Sequence, residues 1–253
     1  MAEQELPISS KDALVRELAR VQRLHEERRS NPILAGALFR LADWQARRLR
    51  MTYADLAADP RYAAAIQFFQ NDLYGSADYS RRDADLARVV PMMVKMLPDT
   101  VIATAASAVE LNALSQELDR VLLARLPRAD ASFSVAEYCK AYRRAGNFPM
   151  RERQIRLISE IGAALDQAVQ RPLVGAALKM MRQPARLAGL GALQDFLERG
   201  FGSFRGMGGA REFLGTIDER ETRIYDAIIA GAYDPFPDPL LFRLSQSSTA
   251  RAT

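Results

Sequence analysis

The feature that most constrains this chain is a helical apolar period recurring along almost its whole length, with no window of sustained strand alternation. In the longest instance Val101, Ala105, Ala108, Leu111, Leu114, Leu118, Val121 and Leu122 share one side of a helix that opens at Pro98-Asp99-Thr100. A strand needs a period of two, and such a stripe read as a strand would scatter its apolar residues over both faces. The expected fold class is therefore all-α, a single multi-helix bundle-like domain of roughly nine or ten helices.

Start and stop signals divide the pattern. Ser9 or Ser10 is expected to cap a first helix with Leu14, Leu18, Val21 and Leu24 or His25 inward. Asn31-Pro32 restarts the chain as an N-cap followed by proline, with Leu34, Leu38, Leu41 and Trp44 buried. Thr52 to Asp55 reads as a capping box for a short helix stopped at Asp59-Pro60, and the next helix runs from Arg61 to Tyr74 and closes at Gly75. Ser80 to Asp83 reads as a further N-cap, with Leu86, Val89, Val90 and Met93 inward and a break at Pro91. Ser134 to Glu137 is a second capping box, and Gly146-Asn147 ends its helix. Ile155, Ile158, Gly162, Leu165 and Val169 mark a helix that stops before Pro172, Pro184 begins another, and the last spans Ala210 to Ile229.

The helical domain is expected over residues 1–232, with two halves meeting near 127–133, and residues 233–253 as a Pro-rich arm and tail. The idea of halves comes from IQFFQNDLYGS (66–76) and LQDFLERGFGS (193–203), which align without gaps at an offset of 127 residues. Gln67/Gln194, Phe69/Phe196, Gly75/Gly202 and Ser76/Ser203 coincide, and both segments read as helices ending at glycine. Arg199-Gly200-Phe201-Gly202 shares letters with an RNA-binding strand signature, but Ser203 stands where that signature has an aromatic. Helical spacing of Leu190, Leu193, Phe196 and Leu197 just before it assigns the glycines to a helix end, with Phe201, Phe204 and Met207 folded onto the core.

Composition removes several chemistries. The 31 Arg and 4 Lys are interleaved with 31 acids, so a net charge of +4 does not gather into a tail. The densest basic cluster is Arg47, Arg48 and Arg50 after Trp44. One cysteine, Cys139, and one histidine, His25, are too few for a disulfide framework, a structural zinc site or a paired Glu-x-x-His di-iron site. No phosphate-loop or dinucleotide fingerprint occurs, so neither a metal nor a cofactor is expected. Carboxylate pairs such as Glu117/Asp119 and Glu219/Glu221 are two residues apart and face different ways. No run of 18 apolar residues exists, and the acidic, polar stretch MAEQELPISSKD lacks a signal-peptide profile; no membrane association and a cytoplasmic location are expected.

Phe68-Phe69-Gln70-Asn71-Asp72-Leu73-Tyr74 resembles the defining segment of a bacterial family of uncharacterised proteins with a FFLEELY motif. Phe68, Phe69, Leu73 and Tyr74 match, Gly75 follows, and residues 81–98 resemble the region downstream of that motif. The resemblance implies kinship without an activity. Residues 111–123 bear a faint likeness to the haem-presenting helix of globins, with Glu117 or Leu118 where the ligand would fall, so haem is not implied.

Three functional classes remain open. The first is a non-enzymatic binding protein, for a protein partner or a small ligand. Its site would form around Tyr74, Arg81, Arg82, Asp83, Asp85 and Arg88, with Met92, Met93, Met96, Met180, Met181 and Met207 as adaptable apolar surface. The second is nucleic-acid binding, which requires Arg47, Arg48 and Arg50 on one uninterrupted positive face. The third is an acid/Tyr enzyme, which requires Tyr74 and Asp83 or Asp85 to converge in a concave pocket.

Overall fold

A computed structural model describes residues 9–73, Asp85, Arg88, 98–128 and 132–241. Among these residues the protein is all-α, with ten α-helices. They are α1 (Ser10–Ser30), α2 (Pro32–Thr52), α3 (Ala54–Ala58), α4 (Ala63–Phe68), α5 (Asp99–Leu123), α6 (Val135–Ala145), α7 (Phe148–Val169), α8 (Pro172–Leu187), α9 (Gly191–Gly206) and α10 (Arg211–Ile229). A π-turn over Phe69–Leu73 continues α4. No described helix is long and apolar enough to cross a membrane.

The start signals act as the local chemistry dictates. Ser9 Oγ accepts from the amide of Asp12, and Asn31 Oδ1 accepts from that of Leu34 at 3.0 Å, with Pro32 in the first turn. At Ser134 both halves of the capping box form: the Glu137 amide donates to Ser134 Oγ, and the Ser134 amide donates to Glu137 Oε2 at 2.8 Å. Gly146 (φ 65°) and Asn147 (φ 59°) turn the chain left-handedly between α6 and α7, a geometry that glycine and asparagine adopt at low cost.

Several expectations are corrected. Thr52 ends α2 instead of capping α3, and Asp55 pairs with Arg220 of α10, so the apparent capping box is not used. Pro172 begins α8, and Pro184 lies inside it; the ring needs no amide partner, and only one further turn follows before Leu187. α9 continues through Gly200 and Gly202 to Gly206, and the glycine turn comes at Gly208 and Gly209. Gly200 is instead a packing glycine: a Cβ there would stand 2.9 Å from Phe68 Cζ. The segments 66–73 and 193–203 pack on one another, with the Phe68 and Phe196 rings 5.3 Å apart and Arg199 Nη2 donating to Asp72 Oδ1 at 2.6 Å.

α5 is the central strut. Its first half buries Ile102, Ala106, Val109 and Ala113 against Leu14, Leu18 and Val21 of α1. The expected stripe is therefore rotated there, and Val101 and Ala108 lie exposed. Small and apolar residues fill nearly every position of residues 101–109, so periodicity alone does not fix the phase. The second half turns Leu114 and Leu118 onto Leu157 of α7, and Leu122 into a second core cluster. That cluster joins Leu41 and Trp44 of α2, Tyr138 and Tyr142 of α6, Tyr225 and Ile228 of α10, and Phe236, which anchors the C-terminal arm edge-on against Trp44.

Candidate functional site

Where α2, α5, α6, α7 and α10 meet, the interior holds a chamber of about 140 Å³. Each helix supplies residues at helical spacing on its inward face. Gln45, Arg48 and Leu49 come from α2, Ser115 and Asp119 from α5, and Tyr138 and Tyr142 from α6. Arg151, Gln154, Ile155 and Ile158 come from α7; Ile217, Glu221, Ile224, Tyr225 and Ile228 come from α10. Tyr53, Ile66, Phe69, Gln70 and Phe236 complete the walls. The π-turn contributes here. Its wider winding sends Phe68 toward Gly200 and Phe196, while Phe69 meets Phe204, Phe213 and the chamber.

The polar groups fall into two sets. In the first, Arg48 and Glu221 form a two-pronged ion pair, 2.5 and 3.0 Å, with each side chain 15% exposed. Tyr53 Oη donates to Glu221 Oε1 at 2.7 Å. Burial pushes the Glu221 carboxyl upward, but the Arg48 charge and the hydrogen bonds from Arg48 and Tyr53 outweigh it and hold it below its ordinary range. This set is closed on itself.

The second set is open. Asp119 accepts a hydrogen bond from Gln45 Nε2 at 2.9 Å and forms no ion pair among the described residues. Burial raises its pKa, with Arg151 and Arg28 opposing from beyond ion-pair distance. Arg151 is 6% exposed; its Nη1 donates to Gln154 Oε1 and its Nη2 to the Leu118 carbonyl. Its guanidinium lies over the Tyr142 ring, 4.6 Å from the centroid, and no carboxylate among the described residues pairs with it. Gln154 Nε2 donates to Ser115 Oγ at 2.8 Å, and the Tyr142 hydroxyl has no hydrogen bond among the described residues. Burial raises the phenol pKa values of Tyr138 and Tyr142, so both hydroxyls stay protonated.

The family model for a domain of unknown function, DUF8198, matches residues 24–235. The chain belongs to this family. No curated protein and no solved structure matches it. The DUF8198 match takes in every residue lining the chamber except Phe236, and it leaves out the part of α1 that carries Leu14, Leu18 and Val21.

Most of the site expected from sequence falls outside the described residues. Tyr74, Gly75, Arg81, Arg82 and Asp83 fall outside the described residues, as do Met92, Met93 and Met96 and the side chain of Leu73. Asp85 is buried and accepts from Arg88 Nη2 at 2.6 Å; the same nitrogen donates to the Gly189 carbonyl, tying this pair to the turn between α8 and α9. Met180 and Met181 are exposed on α8, and Met207 is buried. The uninterrupted positive face that nucleic-acid binding would require of Arg47, Arg48 and Arg50 does not form: Arg47 is buried against Asp43, and Arg48 points into the chamber toward Glu221. Cys139 is fully buried, and burial pushes its thiol up to about 11, which keeps it a thiol.

Sequence reading missed the chamber because its polar members occupy core positions of apolar stripes. Glu221 follows Ile217 by four residues and precedes Ile224 by three; Arg151 precedes Ile155 by four, and Gln154 precedes Ile158 by four. A charged residue in register with an apolar stripe was the available signal.

Proposed function

We propose that this chain is a binding protein whose ligand is a small molecule held in the chamber between α2, α5, α6, α7 and α10. The supporting observation is the chemistry of the walls. Inward ionic and hydroxyl groups in a helical core are costly unless fully partnered, and apolar residues of similar volume would pack more stably. Here Asp119, Arg151 and the Tyr142 hydroxyl carry capacity that no described residue uses. The volume of about 140 Å³ is near the ~150 Å³ of a cavity that admits benzene, and below the ~300–1,000 Å³ of sites for drug-sized molecules. The ligand is therefore small.

A bacterial, cytoplasmic setting and a FFLEELY-type character of residues 68–74 belong to the same proposal; the family match spans that segment, and Phe69 stands in the chamber wall. So does a single domain over residues 1–232 with a following arm, supported by the burial of Phe236. The test is native mass spectrometry on gently purified protein, set against the denatured mass. Excess mass lost on denaturation is the expected result. A bare protein mass with no small-molecule adduct would overturn the reading, and co-purification of a second chain would replace the small ligand with a protein partner.

A further inference from the structure

The charges around the chamber define what kind of small molecule fits. Arg48 and Glu221 neutralise one another, so neither is available to a ligand. Arg151 and Asp119 are both available, and each imposes an opposite demand. A ligand bearing only a carboxylate gains Arg151 but brings a second negative charge beside Asp119; one bearing only an amine gains Asp119 but meets the guanidinium. A ligand bearing both, a few bonds apart, satisfies both. The Tyr142 hydroxyl offers a further hydrogen bond, and Ile158, Ile217 and Phe69 offer an apolar wall to the remainder.

Resting on the chamber as a ligand site, we infer that its ligand is a small zwitterion with an apolar body, of the α-amino acid class, with its carboxylate on Arg151 and its ammonium on Asp119. Bound this way the ligand closes the open set with charge-assisted hydrogen bonds at both ends, as Glu221 does for Arg48. Specificity follows from the groups left unpaired when either end of the ligand is missing.

The test uses two matched series and the full chain, read by calorimetry and thermal shift. L-leucine is compared with isopentylamine, which lacks the carboxylate, and with 4-methylpentanoate, which lacks the ammonium. L-phenylalanine is compared with phenethylamine and 3-phenylpropanoate. At least one amino acid is expected to bind about ten-fold or more tighter than both of its analogues, since each analogue strands a buried charge. Asp119→Asn, which keeps the shape of the side chain, is expected to narrow or reverse the preference for the amino acid over the acid.

Equal binding of an acid and its amino acid, or an unchanged preference in Asp119→Asn, would overturn the assignment. Failure of all six compounds against a native spectrum that carries excess mass would sink the zwitterion while leaving the chamber reading intact. Their failure against a bare spectrum would sink both.

Discussion

The two halves of α5 solve the same packing problem in opposite ways. The first half lies against α1 with Ile102, Ala106, Val109 and Ala113 facing Leu14, Leu18 and Val21, an apolar seam in which small residues let the helices approach. The second half turns Ser115 and Asp119 toward four other helices and leaves a void of about 140 Å³. One seam is built for density. The other carries charge in a place where density was available, and it lies within the DUF8198 match, whereas the α1 side of the dense seam lies outside it. On the proposed function, the first region serves stability and the second recognition.

The largest effect expected separates buried from peripheral charge. Glu221→Leu leaves Arg48 buried and unpaired and should cost about 3–5 kcal/mol in urea denaturation. Glu117→Leu removes the partly exposed partner of Arg20 on the outer side of the same region, and should stay within about 1 kcal/mol. Equal losses would erase the distinction. Next comes the dense seam: Ile102→Ala should cost about 2–5 kcal/mol, with the excess mass of bound ligand unchanged. Ligand loss in that variant would show the two regions to be coupled.

A smaller effect is expected at Gly162 of α7, where an added Cβ would stand 2.3 Å from Leu214 Cδ2. Gly162→Ala should cost about 1–3 kcal/mol unless Leu214 finds another rotamer, which the melting temperature would reveal. The least in magnitude is a pH dependence. Asp119 has a folded-state pKa above its ordinary 3.8, so its contribution is fully present below 3.8 and lost as pH rises through the folded value. Asp119→Asn should therefore match the wild type in acid and become the more stable of the two as pH rises through that window. Denaturation midpoints taken across the window check the sign; a gap that shrinks with rising pH would contradict it.

Several helix boundaries were legible in the sequence because their signals are local. Asn31-Pro32, Pro98-Asp99, the Ser134–Glu137 box and Gly146-Asn147 each act through neighbouring backbone groups, and each stands where it was expected. Pro184 misled because proline in the last turns of a helix loses little, whereas the same residue at a start is the commoner pattern. The phase of residues 101–109 could not be read where nearly every side chain is small and apolar. The chamber was illegible for a different reason. Arg48 meets Glu221 across 173 residues, and Gln45 meets Asp119 across 74, and no local rule pairs residues so far apart.

Native mass spectrometry of the wild type beside Ile158→Phe tests the central claim most directly. The larger side chain should take up part of the void at its apolar wall and hold or raise the melting temperature, as partial cavity filling commonly does. The account predicts an excess mass on the wild type, lost on denaturation, and none on the folded variant. An identical spectrum from both proteins, whether bare or carrying the same adduct, would contradict it.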